Sequence, residues 1–323
     1  MKAIVQDKYG SPDVLELKEI DKPVVEDDEV LVRVRAASVN PADWHYMRGL
    51  PYIMRPQAGL GKPKNGVLGR DISGRVETVG KEVTRFRTGD AVFANVERGG
   101  FAEYAGVPEG LVVPKPANLT FEQAAAVPLA ALTALQGLRD AGRVQPEQMV
   151  LIIGASGGVG TFAVQLAKSL GAEVTGVCSS RNAELVRSLG ADHVIDYTQE
   201  DFTQGGEKYD LIFQLAGTRS PSECRRALTP TGTLVLSSGE SSGRWLGPVD
   251  RMIKAAVLSP FVSQKLGAFL ARPKRDDLQF LKELIEAGTV SPVIDRTYPL
   301  REVPEAIRYL EEGHTRGKIV ITV

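Results

Sequence analysis

The sequence has few cysteines, few histidines, almost no net charge and no long apolar run. Its two cysteines, Cys178 and Cys224, are too few for a disulfide framework and too far apart for a zinc knuckle. Because Cys178 ends a predicted strand and Cys224 lies in a predicted helix, we expect both to be buried. The net charge of −1 provides no field that would attract nucleic acid or a membrane surface. Without an apolar run of about 18 residues or a signal-peptide core, the chain is predicted to be cytoplasmic.

The composition is that of an ordinary globular protein. Apolar residues make up 43% of the chain and charged residues 24%, so no extended disorder is expected. A length of 323 residues is enough for two domains that each bury a core.

Residues 1–118 are predicted to form a β-rich substrate domain. Short strands are expected at 3–6, 14–20, 29–37, 69–80, 89–93 and 101–105, separated by Gly and Pro. Many short strands favour a compact, barrel-like fold. One short helix is expected to begin after Asn40 as N-cap, with Pro41 at its first position, and residues 50–65 are expected to form a loop.

Residues 119–271 follow a different pattern. A helical stretch opens with Thr120 and Gln123 in capping-box spacing, and from Met149 onward strands and helices alternate. This alternation predicts an α/β fold, a doubly wound parallel sheet of the Rossmann type, with 266–270 as its sixth strand. Residues 272–323 are expected to return to the first domain, ending in a strand at 318–323.

The most specific motif is the glycine-rich turn at 154–160. It follows an apolar strand at 149–153 and precedes a helix with one apolar face, the context in which such a turn binds a dinucleotide. Gly157 would let the backbone approach the pyrophosphate, and Gly160 would let helix and strand pack closely. The predicted cofactor contacts in the turn are Ser156, Gly157, Gly158, Val159 and Gly160. The alternative is a glycine turn without a nucleotide.

The end of the next strand indicates which dinucleotide is bound. NAD sites place an acidic residue there for the ribose 2′-hydroxyl. Here the position falls on Ser179 or Ser180, followed by Arg181. Two hydroxyls and a guanidinium suit a 2′-phosphate, which predicts NADP, used as NADPH. Alternatively, Arg181 is only the solvated start of the following helix.

The order of these domains resembles that of the medium-chain dehydrogenase/reductase superfamily. Segments 68–74, 100–104, 125–134, 189–197 and 316–320 are similar to its zinc-independent quinone oxidoreductase branch, especially to the subgroup of reticulon-4-interacting protein and the chloroplast-envelope quinone oxidoreductase homologue. The resemblance covers essentially the whole chain. It implies a GroES-like β domain beside the Rossmann domain.

The resemblance also bears on metal binding. Zinc members of the superfamily hold the catalytic metal at three positions that align here with Asn40, Arg70 and about Leu129. An amide, a guanidinium and an alkyl chain cannot replace thiolate and imidazole ligands, so no metal is expected.

Further site residues follow from the resemblance. Thr133 and Lys318 would contact the cofactor, Tyr197 would lie near the 2′-phosphate, and Phe269 and Leu270 would run past the nicotinamide. Candidate catalytic residues, as donors to a substrate carbonyl, are Asn40, Tyr46 and Tyr52, although the two tyrosines could equally be aromatic wall residues without a proton role. Asp43 and Asp71 are expected to be structural.

These features together predict an NADPH-dependent reductase of quinones or α,β-unsaturated carbonyls. Without a Lewis acid an alcohol is hard to activate, whereas a conjugated carbonyl needs only a hydride and a hydrogen-bond donor. The alternatives are an enoyl-thioester reductase and a non-catalytic NADPH-binding protein. The expected partner is a small-molecule substrate, with no nucleic acid or membrane, and a homodimer is possible from the resemblance.

Overall fold

The computed structural model describes residues 1–64, 66–237, 243–247 and 249–323. The chain forms two compact units: unit 1 comprises Met1–Leu132 and Pro273–Val323, and unit 2 comprises Thr133–Arg272. Residues 119–132, which the sequence pattern assigned to the Rossmann domain, therefore lie in unit 1. The boundary falls inside a helix, where no change of composition marks it.

The secondary-structure elements are named in chain order. The strands are β1 (Lys2–Gln6), β2 (Leu15–Glu19), β3 (Glu29–Val39), β4 (Asp71–Val79), β5 (Ala91–Asn95), β6 (Tyr104–Pro108), β7 (Val112–Pro114), β8 (Met149–Ile153), β9 (Glu173–Cys178), β10 (His193–Asp196), β11 (Tyr209–Gln214), β12 (Leu228–Leu236), β13 (Lys265–Ala268), β14 (Ile294–Pro299) and β15 (Lys318–Thr322). The α-helices are α1 (Pro41–Arg48), α2 (Arg55–Ala58), α3 (Phe121–Ala125), α4 (Pro128–Gln136), α5 (Gly158–Ser169), α6 (Ala183–Ser188), α7 (Pro221–Arg225), α8 (Val249–Leu258), α9 (Arg275–Glu286) and α10 (Val303–Glu311).

Unit 1 is built around a mixed sheet in the order β14-β15-β3-β4-β5-β7, with β6 also paired to β3. The long strand β3 is central because alternate residues Val30, Val32 and Val34 are buried in the core while Arg33 and Arg35 face outward. The terminal strand β15 pairs antiparallel with β3, with Ile319 opposite Val39. Strand β15 thus joins the sheet whose first strand in the chain is β3, while β1 and β2 pair with each other in a separate two-stranded sheet.

Unit 2 contains a parallel sheet in the order β10-β9-β8-β11-β12-β13. If the strands of unit 2 are numbered from one in chain order, their order across the sheet is 3-2-1-4-5-6, which is the Rossmann arrangement. The predicted α/β fold class is confirmed, as is a sixth strand at β13. In β8, residues 150–153 are buried, and α5 packs its apolar face inward before Gly171 closes it in a left-handed conformation (φ 82°).

Helix α8 was not predicted from the sequence. Its buried face carries Arg251 and Ala255, whereas Ile253 and Val257 on the other face are exposed. The Arg251 guanidinium donates to the carbonyls of Gly217 and Arg219 at 2.8 and 2.5 Å. A helix that buries a cation and exposes aliphatic residues shows no apolar stripe toward the core, so periodicity misses it.

Other differences are local. The expected loop at 50–65 contains the short helix α2, and the helical stretch from 121 to 140 divides into α3, α4 and a π-helical turn at Gly137–Gly142. Gly137 lies so close to the Phe213 ring that an added Cβ would be 2.3 Å from it. Within the described residues, every helix is too short or too polar to traverse a lipid bilayer.

Both cysteines are buried, as expected. Burial raises the pKa of the Cys178 thiol to about 11 and that of the Cys224 thiol to about 12. At neutral pH both remain protonated, and they behave as small core residues.

Candidate functional site

The glycine-rich turn of unit 2 joins β8 to α5. Gly154 has a φ of 87°, and the Gly157 amide donates to the Gly154 carbonyl at 3.1 Å, which folds the chain back toward the helix. A Cβ on Gly160 would lie 2.1 Å from that same carbonyl oxygen, so only glycine allows this approach. A Cβ on Gly157 would meet only one atom, at 3.5 Å, and would otherwise project into open space.

The start of α5 offers donors to an anion. Gly157 is the N-cap, so the amides of Gly158, Val159 and Gly160 occupy the first turn, where backbone geometry provides no intrahelical acceptor. No acidic side chain lies in that turn. A pyrophosphate group fits this position, because the helix dipole is positive here, the amides have no intrahelical partner, and the face at Gly157 is open.

One side chain connected with this turn was missed by sequence reasoning. Asn182, after β9, is 4% exposed, and its Nδ2 donates to Ser156 Oγ at 3.0 Å and to Ser179 Oγ at 3.4 Å. Its Oδ1 is buried and has no hydrogen-bond partner among the described residues. The amide therefore links the glycine turn to the end of β9 and leaves one polar atom for a ligand group such as a ribose hydroxyl. An asparagine a few residues after the end of a strand is a weak signal, and hydrophobic periodicity does not detect it.

The residues predicted for the 2′-phosphate lie in one region, with an unexpected neighbour. The Ser180 hydroxyl donates to a carboxylate oxygen of Asp196, the last residue of β10. Arg181 is exposed, and Tyr197 is 59% exposed with its amide donating to the Cys178 carbonyl at 3.2 Å. An acidic group thus stands beside the hydroxyls even though the end of β9 itself carries none.

Three further predicted cofactor residues belong to unit 2. Thr133 is buried in α4, 7% exposed. The Phe269 amide donates to the Leu236 carbonyl at 2.8 Å, directly after β13, and Leu270 beyond it is 71% exposed.

Unit 1 contains a fully buried carboxylate. Asp71, at the start of β4, is 0% exposed, and four donors surround it. Its Oδ2 accepts from Ser38 Oγ and Asn40 Nδ2, both at 3.0 Å, and its Oδ1 accepts from Asn95 Nδ2 at 2.8 Å and the Leu129 amide at 3.0 Å. We call Ser38, Asn40, Asp71, Asn95 and Lys318 the buried polar centre.

Lys318 supplies the positive charge of this centre. It is 4% exposed, with Nζ 3.6 Å from Asp71 Oδ2, and it donates to Asn40 Oδ1 at 2.5 Å and the Val39 carbonyl at 3.1 Å. Burial lowers the pKa of Lys318, and the neighbouring carboxylates Asp71 and Asp43 oppose that effect. The ammonium is enclosed in unit 1 by protein acceptors. A contact from it to a cofactor would require one of these bonds to be exchanged.

The same constraint applies to Asn40. Its two amide hydrogens reach Asp71 and the Ser38 carbonyl (3.2 Å), and its Oδ1 accepts from Lys318. Asn40 is the N-cap of α1, as predicted, but its side chain is directed to the polar centre. In this geometry no amide hydrogen of Asn40 is left for a substrate carbonyl.

Asp43 fastens α1 to the loop before β4. Its carboxylate accepts from the amides of Asn40 (2.9 Å) and Gly69 (3.0 Å) and is 1% exposed. Gly69 has a φ of 94°, and a Cβ there would lie 2.5 Å from the Phe101 amide nitrogen. Burial raises the pKa of Asp43 to about 6. The structural roles expected for Asp43 and Asp71 agree with these bonds.

Tyr46 lies in α1, and Tyr52 follows that helix. Both are half-buried, and each ring packs against a guanidinium: Arg98 is 5.3 Å from the Tyr46 centroid and Arg55 is 4.5 Å from that of Tyr52. Arg55 also lies 4.9 Å from the ring of Tyr9. The sequence had indicated the two phenols but not the arginines that accompany them.

The positions aligned with zinc ligands do not form a metal site. The Asn40 side chain and the Leu129 amide both donate to Asp71, and the Arg70 carbonyl accepts from Asn95 Nδ2 at 3.2 Å. Among residues 1–64, 66–237, 243–247 and 249–323, no three His, Cys, Asp or Glu side chains are grouped to hold a metal ion. The side chains at the three aligned positions are an amide, a guanidinium and an alkyl chain, which do not fit zinc.

Family models match two segments of the chain. Residues 26–117 match the alcohol dehydrogenase GroES-like domain, and residues 189–321 match a model described as zinc-binding dehydrogenase. Mouse mitochondrial NAD(P)H oxidoreductase RTN4IP1 is 37% identical over 100% of this chain and 89% of its own length. The chain belongs to the medium-chain dehydrogenase/reductase superfamily.

Other members of the superfamily extend the comparison. The Arabidopsis thaliana chloroplastic NADPH-dependent alkenal/one oxidoreductase is 35% identical over 99% of this chain and 79% of its own. The solved structure of the quinone oxidoreductase from Coxiella burnetii is 31% identical, covers 100% of this chain and 99% of that one, and superposes with a TM-score of 0.89. The predicted family and its quinone oxidoreductase branch are confirmed, and the chain is an oxidoreductase. Because these curated relatives are mitochondrial and chloroplastic, the cytoplasmic location stays a prediction.

Proposed function

We propose that this protein is an NADPH-dependent reductase that transfers hydride to quinones or α,β-unsaturated carbonyls. The observation that carries the proposal is the turn at 154–160, whose donors and open face at Gly157 suit a pyrophosphate. The names of its relatives, which include NAD(P)H, alkenal/one and quinone oxidoreductases, support a nicotinamide cofactor and a conjugated acceptor.

The role of unit 2 is to bind and orient the cofactor. The amides of the first turn of α5 bind the pyrophosphate, and Asn182 holds Ser156 and Ser179 in register with it. A bound reduced nicotinamide supplies the hydride. Ser179, Arg181 and Tyr197 would bind the 2′-phosphate, which favours NADPH because the end of β9 carries no carboxylate.

The role of unit 1 is to assist the acceptor. Negative charge develops on the acceptor oxygen as hydride adds to carbon, and fixed donors or cations stabilise it. We assign this role to the phenols of Tyr46 and Tyr52, each of which packs against an arginine. Asn40 is reassigned from donor to positioning residue, since its amide ties α1 to the buried polar centre.

Zinc plays no part in the proposed reaction. The donor set at Asn40, Arg70 and Leu129 cannot hold the metal, despite the description of the matched family model. Prolonged incubation with EDTA is expected to leave activity unchanged. A loss of activity that added zinc restores would contradict this part of the proposal.

The proposal is tested by absorbance at 340 nm. Protein and NADPH are mixed with naphthoquinones, short enals and enones, and an enoyl thioester, and the products are identified. Turnover of quinones or enones is the expected outcome, whereas exclusive turnover of the thioester would favour the enoyl-thioester reductase. Tight NADPH binding without turnover of any acceptor would favour a non-catalytic protein.

We also propose a homodimer formed through unit 2. In the described sheet β13 stands at one end of the strand order, with Gly267 and Ala268 exposed. An exposed strand edge is a template for pairing with a second copy. Light scattering of the wild-type protein should give a molar mass of two chains. Ala268→Pro should give the mass of one chain, because proline cannot donate a hydrogen bond across the strand edge.

A further inference from the structure

A carboxylate reaches the predicted ribose site from an unexpected strand. NAD sites place their acidic residue at the end of the second strand of the sheet, which is β9 here and ends in Cys178. The neighbouring strand β10 pairs with β9 so that Asp196 stands beside Cys178. From there the Asp196 carboxylate accepts the hydrogen of the Ser180 hydroxyl.

Asp196 is held in place by several further donors. Its Oδ1 accepts from the Thr198 amide at 3.0 Å and the Thr198 hydroxyl at 2.7 Å, and its Oδ2 accepts from Gln199 Nε2 at 3.3 Å. Hydrogen bonds from Ser180 and Thr198 hold the pKa of this carboxyl below its usual range. The negative charge is thus permanent at neutral pH and fixed in position.

The charge affects the two forms of the cofactor oppositely. A 2′-phosphate at Ser179 to Arg181 would be repelled by the carboxylate, and the Ser180 hydroxyl already donates its hydrogen elsewhere. A 2′-hydroxyl has the opposite preference, because it can donate to a carboxylate. The Arg181 guanidinium, which favours NADPH, and the Asp196 carboxylate, which favours NADH, are therefore assigned to the same site.

We propose that Asp196 is a specificity-determining residue of the cofactor site, which weakens NADPH binding and permits NADH to be used as well. The inference rests on the proposed function, because it requires that unit 2 bind a nicotinamide dinucleotide. It adds that the preference for NADPH is modest and that a single carboxylate on β10 limits it.

The test compares dissociation constants of NADPH and NADH, measured by cofactor fluorescence without an acceptor. Asp196→Asn keeps the shape and removes the charge, so NADPH should bind about ten-fold more tightly while NADH binds no better. Asp196→Glu keeps the charge and should retain the wild-type ratio within about three-fold. Glu200→Gln removes an exposed charge four residues away and should shift both constants by less than about two-fold.

The outcomes separate this inference from the proposed function. An equal change for both cofactors in Asp196→Asn, or a wild type already strict for NADPH, would overturn the inference while dinucleotide binding stands. If neither cofactor binds the wild-type protein, the proposed function fails. Should Asp196→Asn lower the thermal midpoint, Asp196→Ser, which keeps a hydroxyl for the Ser180 and Thr198 bonds, gives the same comparison.

Discussion

The two units hold their polar groups in opposite ways. In unit 1, Asp71 and Lys318 are 0% and 4% exposed and are surrounded by protein donors and acceptors. In unit 2, Arg181 and Tyr197, two of the residues assigned to the cofactor, are exposed to solvent, and a Cβ on Gly157 of the glycine-rich turn would project into open space. Sequence reasoning assigned Lys318, Arg181 and Tyr197 to the cofactor and expected Asp71 to be structural. The difference in burial indicates that the first pair organises unit 1, whereas the second lies at the surface, where a ligand can reach it.

The largest expected effect concerns the ion pair of the buried polar centre. Lys318→Met leaves Asp71 buried without its cation and should lower the free energy of unfolding by about 3–5 kcal/mol. Urea unfolding followed by far-UV circular dichroism, which reports on both units, measures the loss. Trp44 fluorescence assigns it to unit 1, since the other tryptophan, Trp245, is 75% exposed and should change little.

Its matched control is an ion pair of unit 2. The pair of Lys168 and Asp192 is about one third exposed on each side, so solvent screens it, and Lys168→Met should cost less than about 1 kcal/mol. The double variant Asp71→Asn/Lys318→Met should recover part of the loss. Equal costs for Lys318→Met and Lys168→Met would show that burial does not distinguish the two pairs.

The second prediction concerns Asp43 and pH. Its pKa is raised to about 6 in the folded protein, so between about pH 4 and pH 6 the folded state binds a proton that the unfolded state has lost. Stability should therefore fall as the pH rises through this window, by up to about 3 kcal/mol at 1.36 kcal/mol per pKa unit. Asp43→Asn should remove this dependence in urea unfolding at pH 4.5 and pH 7.

Asp192→Asn is the control for the pH experiment. Desolvation raises the pKa of Asp192, but its bonds to Lys168 and the Val174 amide together lower that pKa below its usual value. The contribution of Asp192 to the pH dependence of stability therefore lies below about pH 4. The wild type and Asp192→Asn should therefore show the same slope between pH 4.5 and pH 7. An unchanged slope in Asp43→Asn would mean that another group titrates in that range.

The third prediction separates two glycines of the cofactor turn. Gly160→Ala forces a Cβ against the Gly154 carbonyl and should lower the free energy of unfolding by about 1–3 kcal/mol. Gly157→Ala should stay within about 1 kcal/mol of wild type and yet weaken both NADPH and NADH about ten-fold or more, because the methyl group occupies the open face. Thermal midpoints and cofactor fluorescence provide the readouts. If Gly157→Ala binds both cofactors with wild-type affinity, the pyrophosphate is not bound at Gly157.

The smallest expected effect is on cofactor choice. Arg181→Glu should weaken NADPH about ten-fold, equivalent to about 1.4 kcal/mol, with little change for NADH. Arg187→Glu reverses an exposed charge on the neighbouring helix α6 and is the control. Equal losses of both cofactors in Arg181→Glu would assign Arg181 a structural role.

Much of unit 2 could be predicted from the sequence because its signals are local. The buried run of β8, the glycines of the turn and the apolar face of α5 are contiguous, and each follows from short-range geometry. Helix α8 could not be predicted, since its inward face carries Arg251, whose partners Gly217 and Arg219 are more than thirty residues away. Residues 238–242, Asn65 and Pro248 lie outside the described residues, and Asn65 is the last residue of the expected loop at 50–65.

The sequence by itself determined the superfamily, the Rossmann sheet, the glycine turn and the absence of zinc ligands at three aligned positions, because residue type and spacing carry that information. Only the tertiary structure decided what several polar residues do. Lys318 is 278 residues from Asn40 and Asp196 is 16 residues from Ser180, yet each pair is hydrogen-bonded. Strand pairing brings the two residues of each pair together. The pair of Lys318 and Asn40 is buried and has a structural role, whereas the pair of Ser180 and Asp196 stays accessible to solvent.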